Sequence, residues 1–265
     1  MNEELVNEYT RQVRVPIYDV GPQHLLKYGS ILRLVQETSE QHVDLLHVSY
    51  EELRREAGLV FFIISTRLKI SRLPTHNEIL TIKTHPRGRS GAQFYRDFKF
   101  YDEGGVLLID VMQTSVLADI ETRKVQRPQI LQKYSPFKDF QVDAEEKLER
   151  IQIPETLPKA GERTVLYSDL DSNGHMNNAV YGDVAWDFVP QELQNRIPAR
   201  MQITYLGEVS LGEKMELYSA QTGEQEIRMK GVGPRGDSFS AWVSLQPKKL
   251  LNRCLKNDTI VETYF

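Results

Sequence analysis

A short polar segment, residues 169–178, concentrates side chains that could take part in hydrolysis. Its sequence, DLDSNGHMNN, holds two aspartates, three asparagines and one histidine. Carboxylate and imidazole groups transfer protons, and amide groups donate hydrogen bonds to a carbonyl oxygen that gains negative charge. Asp171, Asn173 and His175 stand at alternate positions, so an extended segment would project all three to one side. The spacing therefore indicates that the segment does more than cap a helix, since it groups an acid, an amide and an imidazole on one side.

A helix is expected directly after this segment. Val180 and Val184 are apolar at helical spacing, and Pro190 ends the pattern. The first turn of a helix has unpaired N–H groups and a partial positive charge, which suit a polarised carbonyl or an oxyanion. The simpler interpretation is that Asn177 or Asn178 only caps this helix, but a cap accounts for one side chain of the series.

The segment DLDSNGHMNN resembles the signature of acyl-acyl carrier protein (acyl-ACP) thioesterases, which end fatty acid synthesis by hydrolysing the acyl group from its carrier. Residues 13–46 resemble the first strand and helix of that family, and residues 62–84 resemble the strand pair that follows. Residues 203–213, ITYLGEVSLGE, are similar to the strand that carries an essential glutamate, which falls on Glu208. The similarity spans residues 8–245 and is specific.

The resemblance implies roles for four residues, Asp171, Asn173, His175 and Glu208. Water would be activated by Glu208, by His175 or by both, and these alternatives stay open. Asn173 and the N–H groups of the helix start would position the carbonyl and the water. Asp171 would orient its neighbours.

Cysteine chemistry is disfavoured. Plant members of the family carry a cysteine directly after the glutamate, whereas this chain has Val209 there. The one cysteine, Cys254, lies outside the similar region and excludes an internal disulfide or a cysteine-based zinc cluster. Water is therefore the expected nucleophile.

Length and composition describe an ordinary globular protein. The 265 residues suit two domains of about 130 residues each, and 40% hydrophobic with 26% charged residues is typical of soluble proteins. No apolar run approaches the ~20 residues of a membrane span, and the acidic N-terminus is unlike a signal peptide. The six histidines show no metal-ligand spacing. We therefore expect a cytoplasmic protein without metal or cofactor.

The elements that would position the site occur twice in the same order. A predicted helix at 31–46 precedes β-rich runs at 59–70, 78–84, 94–101 and 106–118. A strand at 163–166 and a helix from Asn178 precede runs at 201–208, 214–221, 226–232 and 238–245. With the resemblance, this order predicts an α+β fold of two tandem hotdog domains, each a long helix wrapped by a curved antiparallel sheet.

The predicted domains are residues 1–133 and 163–265, joined by a proline-containing linker at 134–162. A faint internal echo, YGS at 28–30 against YGD at 181–183, accompanies the duplication. Only the second copy carries the acid, amide and imidazole series, since the matching first-copy stretch has His24 without Asp or Asn beside it. The second domain is thus expected to be catalytic and the first to form the acyl pocket.

Substrate contacts are expected from Asn177 and Asn178, beside the catalytic series, and from Phe61 and Phe62 in an apolar strand. For each aromatic residue singly, a purely structural place in the core is the alternative. The net charge of −4 argues against broad nucleic-acid binding, and an acidic carrier would need a local basic patch. Three clusters are candidates, although each alone is more typical of a solvated surface: Arg67 with Lys69, Arg87 with Arg89, and Arg123 with Lys124 and Arg127.

The leading functional hypothesis is hydrolysis of fatty acyl-ACP, which releases free fatty acid. A second hypothesis keeps the chemistry and replaces the carrier protein by coenzyme A. A third is a non-catalytic acyl-binding hotdog protein, against which the intact Asp171, Asn173, His175 and Glu208 argue. A dehydratase of the same fold is expected to lack this motif. Chain-length preference and a homodimeric state are left open by the sequence.

Overall fold

The computed structural model describes residues 7–46, 48–133 and 147–247, which form one large antiparallel sheet and three α-helices. The helices are α1 (Tyr28–Leu45), α2 (Tyr50–Ala57) and α3 (Val180–Asp187). The strands are β1 (Tyr9–Arg14), β2 (Leu59–Ile70), β3 (Ile79–Ser90), β4 (Gln93–Tyr101), β5 (Leu107–Asp119), β6 (Lys159–Thr164), β7 (Pro198–Tyr205), β8 (Lys214–Gln221), β9 (Glu226–Gly233) and β10 (Gly236–Leu245). The α+β class predicted from the sequence is confirmed.

The ten strands follow a symmetric order, β1-β3-β4-β5-β2-β7-β10-β9-β8-β6. Each half of the chain contributes five strands, and the halves join where β2 pairs antiparallel with β7, with Arg67 opposite Gln202. The repeated element order expected from the sequence is therefore present in one continuous sheet. The domain boundaries stay a prediction, and β6 begins at Lys159, within the stretch assigned to the linker.

The main core lies between α1 and the inner face of the sheet. Ile31 and Val35 of α1, one helical turn apart, are fully buried with Leu80 of β3 and with Phe98 and Phe100 of β4. Full burial of each such side chain contributes about 1.5–3 kcal/mol. These contacts hold α1 against the sheet, and residues of α1 form one wall of the cavity between the two halves of the chain.

Helices α1 and α3 cross at two glycines. An added Cβ on Gly182 would lie 3.0 Å from the carbonyl carbon of Tyr28 and 3.1 Å from the nitrogen of Gly29. The Gly29 N–H donates to Asp183 Oδ1 at 2.9 Å. The faint YGS and YGD echo in the sequence thus has a physical basis, because the two segments pack against each other and allow no side chain at either glycine.

The prediction of a long helix in the second half is wrong. Helix α3 has eight residues, begins at Val180 rather than Asn178, and ends before Phe188. Val189 turns into the core, and Pro190 has no N–H with which to extend the helix. The two halves therefore differ: α1 is the long helix of the fold, and α3 is a short helix held against its first turns.

Helix α2 was not predicted. Its N-terminus is a capping box, in which the Ser49 hydroxyl accepts from the Glu52 N–H and the Glu52 carboxylate accepts from the Ser49 N–H. Gly58, with φ of 64°, ends the helix in the left-handed conformation. Because Leu53 is its one buried residue, the helix lacks an apolar periodicity that would identify it.

Candidate active site

The polar segment forms a tight turn, not the extended strand expected from the alternate spacing. The Asp171 N–H donates to the His175 carbonyl at 2.9 Å, and the Gly174 N–H donates to the Asp171 carbonyl at 3.1 Å. Gly174 adopts a φ of 78°, which a glycine reaches without steric cost. The Asp171 carboxylate accepts from the N–H groups of Asn173 at 2.8 Å and His175 at 3.3 Å, and so braces the turn.

His175 and Glu208 are brought together by backbone pairing beside this turn. The Met176 N–H donates to the Val209 carbonyl at 2.9 Å, and His175 forms a β-bridge with Ser210. Nε2 of His175 then lies 3.4 Å from Oε2 of Glu208. Strand β7 ends at Tyr205, so Glu208 lies in the loop that follows the strand. The prediction that Glu208 lies on the strand itself is wrong.

A second ion pair anchors the Glu208 loop. Arg235 contacts both carboxylate oxygens of Glu213, at 2.6 and 2.8 Å, and donates to the Glu208 carbonyl at 2.9 Å. The Glu213 carboxylate also accepts from the Ser210 N–H at 2.7 Å. The Arg235 guanidinium and the Ser210 N–H hold the pKa of the Glu213 carboxyl below its usual range. The loop backbone is thereby fixed on both sides of Val209.

Two side chains from the first half of the chain reach the polar residues of the second half. Nη1 of Arg123, in the turn after β5, lies 2.5 Å from Oε1 of Glu208. The Tyr50 hydroxyl, at the start of α2, donates to Oδ1 of Asn173. Tyr50 was missed by the sequence analysis, and the Ser-x-x-Glu capping box at 49–52 was the signal that could have placed it on a helix.

Asn177 and Asn178 lie between the turn and α3. Oδ1 of Asn177 accepts from the Ala179 N–H at 2.8 Å, in a local turn before α3. The N-cap of α3 is Ala179 and receives no side-chain hydrogen bond, so the simpler interpretation, in which Asn177 or Asn178 caps the helix, is wrong. The backbone carbonyl of Asn178 accepts from the Tyr205 hydroxyl at 3.2 Å. Both asparagines face the same cavity as the turn.

That cavity has a volume of about 1250 Å³ and lies between the two halves of the chain. Asp171, Asn173, His175 and Glu208 form one part of its wall, and Phe61 and Phe62 form another. Beyond them the wall combines apolar residues, Val43, Val48, Leu53 and Phe94, with charged ones, among them Glu40 and Arg96. Phe61 packs edge-to-face on Phe94, with ring centroids 5.3 Å apart, so the cavity wall has an aromatic, apolar part as well as a polar part.

The sequence profile of the acyl-ACP thioesterase N-terminal domain matches residues 6–134, and that of the C-terminal domain matches residues 155–233. The chain belongs to the acyl-ACP thioesterase family. It is a thioester hydrolase of fatty acyl-ACP, as the resemblance implied. No curated protein matches the chain significantly in sequence.

Solved structures show the same fold at low identity. An acyl-ACP thioesterase from Bacteroides thetaiotaomicron is 18% identical with a TM-score of 0.80, covering 91% of this chain and 98% of that one. The 12:0-ACP thioesterase from Umbellularia californica is 19% identical with a TM-score of 0.77, covering 91% and 98%. Both likenesses concern the arrangement of the helices and the sheet.

The three predicted docking clusters of this thioesterase lie in different surroundings. Arg67 and Lys69 alternate with core residues of β2 and so lie on the outer face of the sheet, where Lys69 is 3.9 Å from Asp110. Burial lowers the pKa of the Arg67 guanidinium. Arg87 forms an ion pair with the buried Asp97, and Arg89 donates to the Gly91 carbonyl at 3.1 Å.

The third cluster lies beside the cavity, which Arg89 of the second cluster also lines. Lys124 and Arg127 are exposed; Lys124 follows Arg123 and Arg127 precedes Pro128, both of which belong to the cavity wall. Arg123, predicted with them as a docking residue, is paired with the Glu208 carboxylate instead of facing open solvent alone.

The first half of the thioesterase repeats the turn without its chemistry. The Gly21 N–H donates to the Leu25 carbonyl at 2.8 Å, and the His24 N–H donates to the Gly21 carbonyl at 2.9 Å. Leu25 bridges Thr75 as His175 bridges Ser210. His24 therefore corresponds to Gly174, and it shares the positive φ, at 59°. Leu25 takes the place of His175, so the comparison of His24 with His175 is corrected.

The counterpart of Glu208 is also apolar. The Leu26 N–H donates to the Pro74 carbonyl at 2.8 Å, as the Met176 N–H does to the Val209 carbonyl. The residue before Pro74 is Leu73, buried at 2% exposure. Leu25 and Leu73 replace the imidazole and the carboxylate, so the first copy of the turn has no acid–base pair.

Among the described residues, no group of three His, Cys, Asp or Glu side chains could hold a metal ion. Within the same ranges, no helix has the length and apolar character needed to cross a membrane. Cys254 lies outside the described residues.

Proposed function

We propose that the facing pair of His175 and Glu208 activates water to hydrolyse fatty acyl-ACP, with His175 as the general base. The observation that carries this proposal is the 3.4 Å distance between Nε2 of His175 and Oε2 of Glu208 at the polar part of the cavity wall. The carboxylate favours the tautomer with the proton on Nε2, which leaves Nδ1 free to accept a proton from water. Glu208 itself is less suited to that task, because both of its carboxylate oxygens are already in contact with a side chain, one with Arg123 and the other with His175.

The reaction needs no group beyond these side chains and one water. The water oxygen bonds to the thioester carbonyl carbon while its proton passes to Nδ1 of His175. The resulting oxyanion accepts hydrogen bonds from the Asn173 amide, whose oxygen is already taken by the Tyr50 hydroxyl and whose N–H₂ group remains as the donor. When the tetrahedral intermediate collapses, the C–S bond breaks, and the leaving thiolate takes the proton back from His175. The products are the fatty acid and the free thiol of the carrier.

Water is the nucleophile in this scheme because, within the part of the chain that the structure describes, no thiol lies beside the pair. Val209, where plant relatives carry cysteine, is fully buried, and its carbonyl holds Met176 in place. Its apolar side chain completes the core below the loop. Cys254→Ser is accordingly expected to retain full activity.

The acyl chain of the substrate packs against the apolar part of the cavity wall, which belongs to the first half of the protein. Phe61 and the apolar side chains around it contact the acyl chain, whereas the polar part of the wall receives the thioester. In this arrangement the two halves act as tandem hotdog domains. The first domain, residues 1–133, binds the chain, and the second, from 163 onward, carries the hydrolytic pair, with 134–162 as the linker between them.

The carrier is acyl carrier protein rather than coenzyme A. The family membership supports this assignment, and the exposed Lys124 and Arg127 beside the cavity wall suit an acidic partner. Steady-state hydrolysis of one acyl chain on both carriers tests it, with Glu208→Gln as the inactive reference. A higher kcat/KM on the carrier protein is expected. Equal or higher kcat/KM on coenzyme A would support the acyl-CoA thioesterase instead, and tight acyl binding without turnover would support the non-catalytic alternative.

A further inference from the structure

We infer that Arg123 is a positioning residue of the hydrolytic centre, which holds the Glu208 carboxylate towards His175, and is not a carrier-docking residue. The inference rests on the proposed roles of His175 and Glu208. It is carried by the contact of the Arg123 guanidinium with Oε1 of Glu208 at 2.5 Å, on the side opposite His175. With both oxygens in contact, the carboxylate has one orientation.

The backbone of Arg123 is held by its own turn. The Asp119 carboxylate accepts from the N–H groups of Glu121 and Thr122, at 3.2 and 2.7 Å, and the Arg123 N–H donates to the Asp119 carbonyl at 2.9 Å. Arg123 has a φ of 58°, in the region that favours glycine over any residue with a Cβ. Glycine would adopt this backbone conformation with less strain, so the turn itself does not account for an arginine at this position.

The side chain of Arg123 also packs on an aromatic ring. Its guanidinium carbon lies 5.1 Å from the centre of the Phe62 ring, within the range of a cation–π contact. Phe62 and Arg123 come from the first half of the chain, and Glu208 and His175 from the second. The ion pair is exposed on both sides, at 47% and 42%, and exposed pairs contribute little to stability. Its effect is therefore expected on the position and charge of Glu208 rather than on folding.

Other charged and titratable groups face the same pair and stay in place when Arg123 is changed. Arg235 contacts the Glu208 carbonyl, Tyr181 of α3 faces Glu208, and Glu213 faces His175. Of these, Arg235 is already neutralised by Glu213. Removal of Arg123 thus leaves the Glu208 carboxylate with His175 as its one side-chain ion-pair partner among the described residues.

The test compares Arg123→Gly, Arg123→Met and Arg123→Lys with the wild type on one acyl chain carried by acyl carrier protein and by coenzyme A. Arg123→Gly relieves the backbone strain, so a loss of activity in that variant cannot come from a damaged turn. We expect kcat to fall about tenfold or more in the Gly and Met variants, equally for both carriers, with KM nearly unchanged. Arg123→Lys, which keeps a positive charge at this position, should recover part of the lost kcat.

The matched control is Arg55→Met, which removes another exposed, ion-paired arginine that does not line the cavity and should leave kcat unchanged. A loss in kcat/KM confined to the carrier protein and reproduced by salt would overturn the inference in favour of docking. Full kcat in Arg123→Met would also overturn it, provided that Glu208→Gln is inactive. Lack of hydrolysis by the wild type would instead contradict the proposed function.

Discussion

Nε2 of His175 lies 3.4 Å from Oε2 of Glu208, although the two residues come from different loops, one before α3 and one after β7. The pairing of Met176 with Val209 sets this distance through the backbone, so it does not depend on the flexible carboxylate side chain alone. A base and an orienting acid held in this way act as one unit, and their removal should not be additive.

His175→Ala and Glu208→Ala are each expected to lower kcat by about 10²-fold or more, the range for loss of a general base or its orienting partner. The kcat of the double variant should lie within a few-fold of the kcat of the slower single variant. Added imidazole should restore part of the activity of His175→Ala if His175 is the base. Circular dichroism would verify the folding of all three variants, and fully additive losses would contradict the pairing.

Tyr50→Phe tests whether the hydroxyl fixes the Asn173 amide. Without that hydrogen bond the amide is free to turn, and kcat/KM should fall, but by less than the about 10²–10³-fold expected for loss of the donor itself in Asn173→Ala. The phenylalanine keeps the ring on α2, so thermal stability should not change measurably. Wild-type turnover in Tyr50→Phe would show that the amide is held without it.

Glu213 gives the stability of the Glu208 loop a defined pH dependence. Its pKa is lowered from 4.5 by Arg235 and the Ser210 N–H, so its contribution is fully present above pH 4.5 and is lost as the pH falls through the lower, folded-state value. The melting temperature of Glu213→Gln should therefore lie below that of the wild type at neutral pH, and the difference should shrink below pH 4.5. A difference that stays constant on acidification would rule out this linkage.

The sequence predicted those parts of the molecule that rest on local patterns. The strand runs, the first helix and the Asp171–His175 series all follow from periodicity or turn residues within a few positions. The contacts of Tyr50 with Asn173 and of Arg123 with Glu208 span 123 and 85 positions, and no local pattern marks them. Arg123 was assigned to a surface cluster because its neighbours in sequence are basic, whereas its neighbours in space are an acid and an aromatic ring.

The end of β7 and the length of α3 were missed for a related reason. The apolar and polar residues after Tyr205 continue the alternation of a strand, but the backbone leaves the sheet there to bring Glu208 to the cavity. Likewise, the residues around α3 are apolar enough for a longer helix, yet contact with α1 at Gly182 and the turn at Val189 limit it. In both places tertiary contacts outweigh the local preference.

Gly182→Ala tests the helix crossing. Alanine favours helices over glycine, but its Cβ would lie about 3 Å from the α1 backbone, and such overpacking costs about 1–3 kcal/mol in the free energy of unfolding. Urea denaturation should show this loss. Gly21→Ala is the control, because an added Cβ there meets its nearest atoms at 3.8 Å. Equal stability of Gly182→Ala and the wild type would mean that the helices separate without cost.

Variants of the basic clusters test whether the enzyme prefers acyl carrier protein to coenzyme A as the carrier. The acyl chain and the pantetheine arm are common to coenzyme A and the carrier protein, so a preference for the protein must come from surface contacts outside the cavity. Surface charges act mainly on the rate of encounter and are screened by salt. Lys124 and Arg127 are exposed next to the cavity wall, and Arg89 lines the cavity but is only partly exposed. Arg67 and Lys69 lie on the outer face of the sheet.

Charge reversal of Lys124 and Arg127 to glutamate should therefore lower kcat/KM for acyl-ACP by about tenfold or more at low salt and leave hydrolysis of acyl-coenzyme A nearly unchanged. Reversal of Arg67 and Lys69 should not separate the two carriers, although it should lower the melting temperature because Arg67 is partly buried. Arg87 is paired with the buried Asp97, so reversal of Arg87 and Arg89 should lower the melting temperature before it affects docking. As the salt concentration rises, the ratio of kcat/KM for acyl-ACP to that for acyl-coenzyme A should fall in the wild type and approach the ratio of the Lys124 and Arg127 variant. If no cluster and no salt concentration separates the carriers, the preference for the carrier protein has no electrostatic basis, and the coenzyme A hypothesis becomes the better one.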